Sequence, residues 1–311
     1  MLRLLKLFVC ILFLVQYPHS AWAQSGFSVV KQADRLLISL ENSAVAEFVF
    51  NDPKIFRPYF SSLCLPSGLQ VTRNHPPVEG KDATDHDAMH PGLWLGFGDI
   101  NGQDYWRNKA TMRHVRFLAE PDCQNDKLSF ATQCELQTAE GKPQCLMTNG
   151  YTLTSRPEGW LLVWEATFHA DFETVVLGDQ EEMGLGARVA TAITEKNGGR
   201  IVNSNGLHSA KQTWGQAADW CDYSGKIDGK PVGITLMASR SNFRESWWHN
   251  RDYGVFVANP FGRKAMNQGP LSEVTIDLGQ SLTLRFGVLV HGQLDSDVAT
   301  ISQAFDGFCT Q

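Results

Sequence analysis

The sequence predicts an all-β fold, one large antiparallel β-sandwich with a short C-terminal helix. Three observations predict it. Short apolar runs of strand length recur along the chain, each bounded by Gly, Asn, Asp or Pro, the residues that favour turns. Helical periodicity is almost absent. No Ser/Gly linker, low-complexity run or clear repeat divides the chain, and many strands without alternating helices favour antiparallel sheets.

In chain order, Arg3 and Lys6 precede an apolar run from Leu7 to Val15 and the small-residue site Ala21-Trp22-Ala23. This is the order of a cleavable secretory signal over residues 1–23, so the expected product is exported, periplasmic or extracellular, with one domain over residues 24–311. The apolar run breaks at Gln16, Pro18 and His19, short of the roughly 20 residues that a membrane span needs. Strands are expected at Arg35–Leu40, Ala44–Phe50, Leu93–Phe97, Trp160–Phe168, Gly233–Met237, Tyr253–Val257, Glu273–Leu278 and Ser281–Val290. Gly279-Gln280 between the last two reads as a tight hairpin turn. From Asp295 to Phe308, Val298, Ile301, Phe305 and Phe308 fall on one face of a terminal helix.

A formal net charge of −6 with no basic run argues against a nucleic-acid partner. Cys64, Cys123, Cys134, Cys145, Cys221 and Cys309 follow the signal, an even number that in an exported chain predicts disulfides. Cys123, Cys134 and Cys145 are evenly spaced in a polar stretch, so two of them are expected to staple one loop. The pairing is open among 15 connectivities, and so is oligomeric state. Motifs for serine hydrolases, zincins, P-loops and EF-hands are missing.

Chemistry-bearing residues concentrate in four stretches. Arg73 to Trp106 carries His75, His86 and His90 among aspartates, glycines and prolines, with Trp94 at its centre. Histidine suits proton transfer near neutrality and metal ligation alike, and Asp85 or Asp87 could orient an imidazole. Asn242 to Gly262 supplies Trp247, Trp248, His249, Arg251 and Asp252; planar donors beside flat apolar faces suit a sugar ring. Glu181-Glu182-Met183-Gly184-Leu185-Gly186-Ala187-Arg188 reads as a carboxylate pair before a Gly-rich turn and an arginine. Asn203-Ser204-Asn205-Gly206 and Trp214 to Tyr223 form a fourth polar-aromatic stretch.

The segments RPYFSSLCLPSGLQVTRNHPP, DHDAMHPGLWLGFGDINGQDYW, GLGARVA, IVNSNG, WGQAADWCDYSG and WWHNRDYGVFVANPFG together resemble the PmoA-like family, over Arg57 to Gly262. Pro91 stands where an arginine is usual. The resemblance implies a β-supersandwich similar to galactose mutarotases and a place among sugar-acting proteins.

The expected function is therefore that of an exported carbohydrate-active enzyme catalysing hydrolysis, elimination or epimerisation of a glycoside or sugar. His86, His90, His249 and Glu182 are the expected acid/base residues. His75, Trp94, Arg188, Asn203, Trp247, Arg251 and Asp252 are the expected substrate contacts. Two alternatives stay open, a non-catalytic glycan-binding module and a His-ligated metal-dependent enzyme. No cofactor is required by the first reading, although a divalent metal on the histidines would suit the last.

Overall fold

The structure, a computed structural model, describes residues 26–292 and 298–311. The expected signal and the first residues of the expected terminal helix lie outside the described residues. The strands in chain order begin with β1 (Phe27–Lys31), β2 (Arg35–Leu40), β3 (Ser43–Val49), β4 (Tyr59–Ser61) and β5 (Leu93–Phe97). A meander of long strands follows, β6 (Thr111–Gln124), β7 (Lys127–Gln137), β8 (Pro143–Arg156) and β9 (Gly159–His169). Then come β10 (Val175–Leu177), β11 (Met183–Arg188), β12 (Arg200–Asn203), helix α1 (Ser209–Thr213), β13 (Trp220–Ile227) and β14 (Lys230–Ala238). The chain closes with β15 (Trp247–Trp248), β16 (Val255–Asn259), β17 (Val274–Ile276), β18 (Ser281–His291) and helix α2 (Val298–Cys309).

Two antiparallel eight-stranded sheets result. The front sheet has the order β1-β2-β3-β4-β5-β11-β16-β15, and the back sheet the order β12-β13-β14-β18-β9-β8-β7-β6. Alternation decides which side chains meet between them. β7 alternates buried and half-exposed residues without a break, and β2 does the same. The inward residues, among them Phe48, Phe60, Leu95, Phe130, Tyr151, Trp164 and Phe286, form one continuous core between the sheets. Helix α2 seals the outer face of the back sheet, placing Ile301, Phe305 and Phe308 on Leu161, Val163, Met237 and Leu289. Its apolar residues match the helical face expected from the sequence.

The expected strands form with shifts of a few residues at their ends, and three other expectations change. The hairpin at Gly279-Gln280 does not form. β17 pairs with β10, Val176 facing Thr275, while β18 pairs with β9 along its whole length and with β14 on its other side. Leu284, Phe286, Val288 and Val290 of β18 are completely buried, which requires a central position, whereas β17 buries only Ile276. The polar stretch of the three evenly spaced cysteines is not a stapled loop. It is the meander β6-β7-β8, with Cys123, Cys134 and Cys145 one to a strand, and the six cysteines that follow the expected signal are free. Cys134 faces Met147 and Cys145 faces Leu136, so each thiol fills the core as a small apolar group. The Gly-rich segment after Glu182 is strand β11, inside the front sheet, rather than a turn.

Candidate active site

The inward side chains of β5 are Leu93, Leu95 and Phe97, so Trp94 and Gly96 face out from the front sheet. β11 likewise sends Met183, Leu185 and Ala187 inward, which turns Gly184, Gly186 and Arg188 outward. Val255 and Val257 of β16 lie on that outer face with Trp94 and Tyr59. β15 continues the pattern. Trp248 is buried in the core with its Nε1 donating to Ala218 O, and its neighbours Trp247 and His249 therefore face out. One sheet face thus collects residues from the first three of the four stretches. Gly186 is a requirement of this packing, because a Cβ there would lie 2.8 Å from Cζ2 of Trp94. The missing side chain lets the indole cross the strand.

Over Trp94 lies the segment from Asn74 to Gly92, held by buried arginines. Arg73 donates through Nη1 to Ala83 O and Asp85 O and through Nη2 to His90 O. Arg57 donates to Tyr105 O, Trp106 O, Met89 O and Asn108 Oδ1. Burial pulls these guanidinium pKa values down, to about 9 for Arg57 and about 10 for Arg73, which still leaves both charged at neutrality. Each arginine thereby satisfies several loop carbonyls that would otherwise be buried without donors.

Two histidines sit in this segment. His90 is 7% exposed and stacks on Trp94, with ring centroids 4.9 Å apart and planes 18° apart, while Trp106 meets both rings edge-on. Burial, followed by the charges of Arg188 and other nearby cations, drives the His90 pKa down to about 2. Its imidazole is neutral at any ordinary pH, and Trp94 beneath it has no exposed surface. The expected stacking of a sugar on Trp94 is therefore blocked in this conformation, and the indole serves as the platform for His90. His86, nearly half exposed, has a φ of +50°, a strained value for a residue with a Cβ. Its Nδ1 lies 2.9 Å from Asp85 Oδ2.

Asp85 is the hub of this cluster. Arg188, itself buried, donates from Nη1 and Nη2 to its two oxygens at 3.2 and 2.9 Å. Desolvation is the largest influence on Asp85 and pushes its pKa up. The hydrogen bonds and charges of Arg188, His86 and Arg73 outweigh it and hold the group at about 2. A permanent carboxylate can only accept, so Nδ1 of His86 carries the proton and Nε2 is left as its basic nitrogen.

The second cluster centres on Glu181. Asn259 at the end of β16 donates from Nδ2 to Gln180 O and Glu181 O, fixing the approach to β11. Glu181 Oε2 lies 2.7 Å from Arg251 Nη2 and 2.9 Å from Nδ1 of the buried His249, the latter outside hydrogen-bond angles. The contact with His249, reinforced by Arg251 against desolvation, lowers the Glu181 pKa. Tyr253 lies between the clusters, its ring 4.7 Å from the Arg188 guanidinium.

The other expected residues are placed as follows. Glu182 pairs with Arg107, not with His249. His75 packs edge-on against Tyr59 at the margin of the face, and burial lowers its pKa. Trp247 is half-buried beside Arg244, and Asp252 is exposed and 3.5 Å from Lys196. Asn203 is apart from the site, at the end of β12 in the back sheet, where its Oδ1 accepts from the backbone of Asn205 and Leu207. That is an Asx-type turn, so its side-chain oxygen is spent on the chain itself. Arg57, Arg73 and Tyr253 were not among the expected site residues, Asp85 was expected only as one of two aspartates that could orient an imidazole, and Glu181 only as the neighbour of Glu182 in a carboxylate pair. The Asp-His adjacency at 85–86 was the one signal for Asp85. Among the described residues no three His, Cys, Asp or Glu side chains converge as a metal-ligand set.

The fold and this face define the class, a two-sheet antiparallel β protein with a polar, arginine-braced cluster on one outer face. Within that class, the chain belongs to a family of unknown function designated DUF6807, whose model matches residues 35–306. This corrects the resemblance to the PmoA-like family, for which the match gives no support. No curated protein matches the chain. Among solved structures it is similar to a galactose mutarotase-like protein from Clostridium acetobutylicum, at 9% identity and a TM-score of 0.42, covering 86% of this chain and 98% of that one. It is also similar to an α-galactosidase from Lactobacillus brevis, at 8% identity and a TM-score of 0.41, covering 85% of this chain and 39% of that one. A galactose mutarotase-like protein from Lactobacillus casei follows, at 10% identity and a TM-score of 0.35, covering 86% of this chain and all of that one. Likenesses this distant carry no argument about substrate or residue roles.

Proposed function

We propose that the protein is an exported carbohydrate-active enzyme that works on a sugar or glycoside held against the outer face of the front sheet. The observation that carries this reading is the presence on one sheet face of two imidazoles, each against a carboxylate. His86 is set against Asp85 and His249 against Glu181, with Arg188 and Arg251 clamping the same two carboxylates. Asp85 at Nδ1 fixes the tautomer of His86 and leaves its Nε2 to accept or return a proton, which is the requirement for acid/base catalysis, and Glu181 lies close enough to His249 to exchange one with it. The remaining donors of half-buried Arg251 would hold hydroxyl groups, while buried Arg188 orients Asp85. His90, kept neutral, acts in this scheme as a fixed polar surface instead of a proton carrier, and Glu181 takes the role first expected of Glu182.

The test is a screen of the purified protein against glycans and glycosides, with products followed by mass spectrometry and metal content measured in parallel. Turnover is expected, and Glu181→Gln should reduce it by about 10²–10⁴-fold while leaving the thermal midpoint nearly unchanged. Binding without any product in the unmodified protein would replace the enzyme with a glycan-binding module. Stoichiometric metal lost on substituting His86 would move the reading to metal-assisted chemistry.

A further inference from the structure

Beside the Glu181 cluster lies a pocket of about 570 Å³ whose lining includes Glu195, Lys196, Lys211, Trp214, Arg251 and Asp252. The volume falls in the range of roughly 300–1,000 Å³ typical of small-molecule sites. Arg251 is common to both places. It donates to Glu181, and its guanidinium carbon lies 5.9 Å from the centre of the Trp214 ring. The acids of the pocket are already engaged. Glu195 Oε2 accepts from Ala210 N, and Asp252 sits 3.5 Å from Lys196 Nζ. Lys211 is exposed, with no charge partner among the described residues.

Two polar groups in this lining lack partners. Asn250, also in the lining, is 1% exposed and donates from Nδ2 to Thr213 Oγ1 and Cys221 Sγ, and its buried Oδ1 accepts nothing. Trp214 is half-buried, and its Nε1 is buried without an acceptor. The orphaned acceptor and donor lie buried in the cavity wall, where a hydroxylated ring would satisfy both once the Asn250 and Trp214 side chains turned toward it. An indole offers such a ring an apolar face. Arg251 is held by Glu181 and Lys196 faces Asp252, which leaves Lys211 as the cation available to a ligand that also carries negative charge.

We infer that this pocket is a second subsite, for an acidic sugar unit such as a uronate, adjoining the unit held at the Glu181 cluster. The inference rests on the carbohydrate reading above and narrows it to oligosaccharides with an acidic residue next to the reacting one. Arg251, shared by the two places, would register one unit against the other.

Isothermal titration of the whole protein with uronate-containing oligosaccharides and with length-matched neutral ones tests the inference. The acidic ligands should bind about tenfold more tightly, a difference that shrinks with added salt. Lys211→Ala, at an exposed position, should weaken the acidic ligands about threefold and leave the neutral ones unchanged. Trp214→Phe retains a ring but removes the indole N–H, and should weaken both. Equal affinity for the two ligand sets, or a Lys211→Ala protein that binds as the unmodified one does, would overturn the acidic subsite while the carbohydrate reading stands. Failure to bind any member of either set would overturn both.

Discussion

The two outer faces of this molecule are closed in opposite ways. Behind the back sheet, α2 brings Ile301, Phe305 and Phe308 onto Leu161, Val163, Met237 and Leu289, an apolar seal. In front, the cover is a polar segment tied down by Arg57, Arg73 and Arg188; it shelters neutral His90 and the buried guanidinium groups, and carries ionised Asp85 at its surface. Buried polar atoms without partners gather on the second face: His90 Nδ1, Trp94 Nε1, His249 Nδ1, Arg57 Nε and Arg73 Nε. Two sheets of the same size and connectivity style thus support different tasks. Hydrophobic burial is indifferent to direction and serves to close a surface. Buried charge is costly unless it is paired and bonded, and it is retained where its orientation has a use.

The contrast can be broken by substitution, starting with the largest expected effect. Phe305→Ala should lower unfolding free energy by about 3–5 kcal/mol in urea titrations and leave ligand affinity unaltered. If affinity fell in step with stability, the two faces would not be independent. Arg57→Met should cost about 2–3 kcal/mol, since it strands several buried carbonyls, and in contrast to Phe305→Ala it should also abolish ligand binding. The smallest effect concerns His90. Its folded pKa of about 2 lies below the ordinary value of 6.5, so the unfolded chain takes up a proton that the native protein refuses. Its neutral form therefore stabilises the fold fully above pH 6.5, and that contribution is lost progressively as pH falls from 6.5 toward 2. His90→Gln should flatten the acid limb of the stability curve, by about 1 kcal/mol at pH 5.5 relative to pH 7.5. His75 and His114, also held below their ordinary values, would keep part of the slope.

The sequence discloses most of this architecture and less of its wiring. β2 and β5 are legible to the residue because one is alternating and the other a short apolar run between turns. β6 is not. As the edge of the back sheet it exposes most of its length and slips register at three places, so neither face shows a clean period. β11 misleads for a different reason, since its glycines serve close packing, Gly186 under Trp94 and Gly184 against the Ala258 carbonyl, and not a turn. At the hairpin expected around Gly279-Gln280 the turn chemistry is sound, and tertiary pairing overrides it. Within the site, the clustering of His, Asp, Arg and Trp marks the correct segments, because such groups are crowded only where loops display them. The choice of Glu181 over Glu182 depends on Asn259 anchoring the chain from another strand, a contact that sequence spacing does not encode. Arg57 and Arg73 escape notice since charged residues are expected at the surface.

Gly186 gives the protein an adjustable joint. Any side chain placed there must shift the Trp94 indole, and the indole carries His90, whose carbonyl is in turn bonded to Arg73. A single methyl group hidden under the sheet surface would travel through that stack into the loop bearing His86 and Asp85, without meeting a ligand. Variation at this position offers a way to retune selectivity from underneath. A stabilisation campaign that replaces glycines by alanine should pass it over.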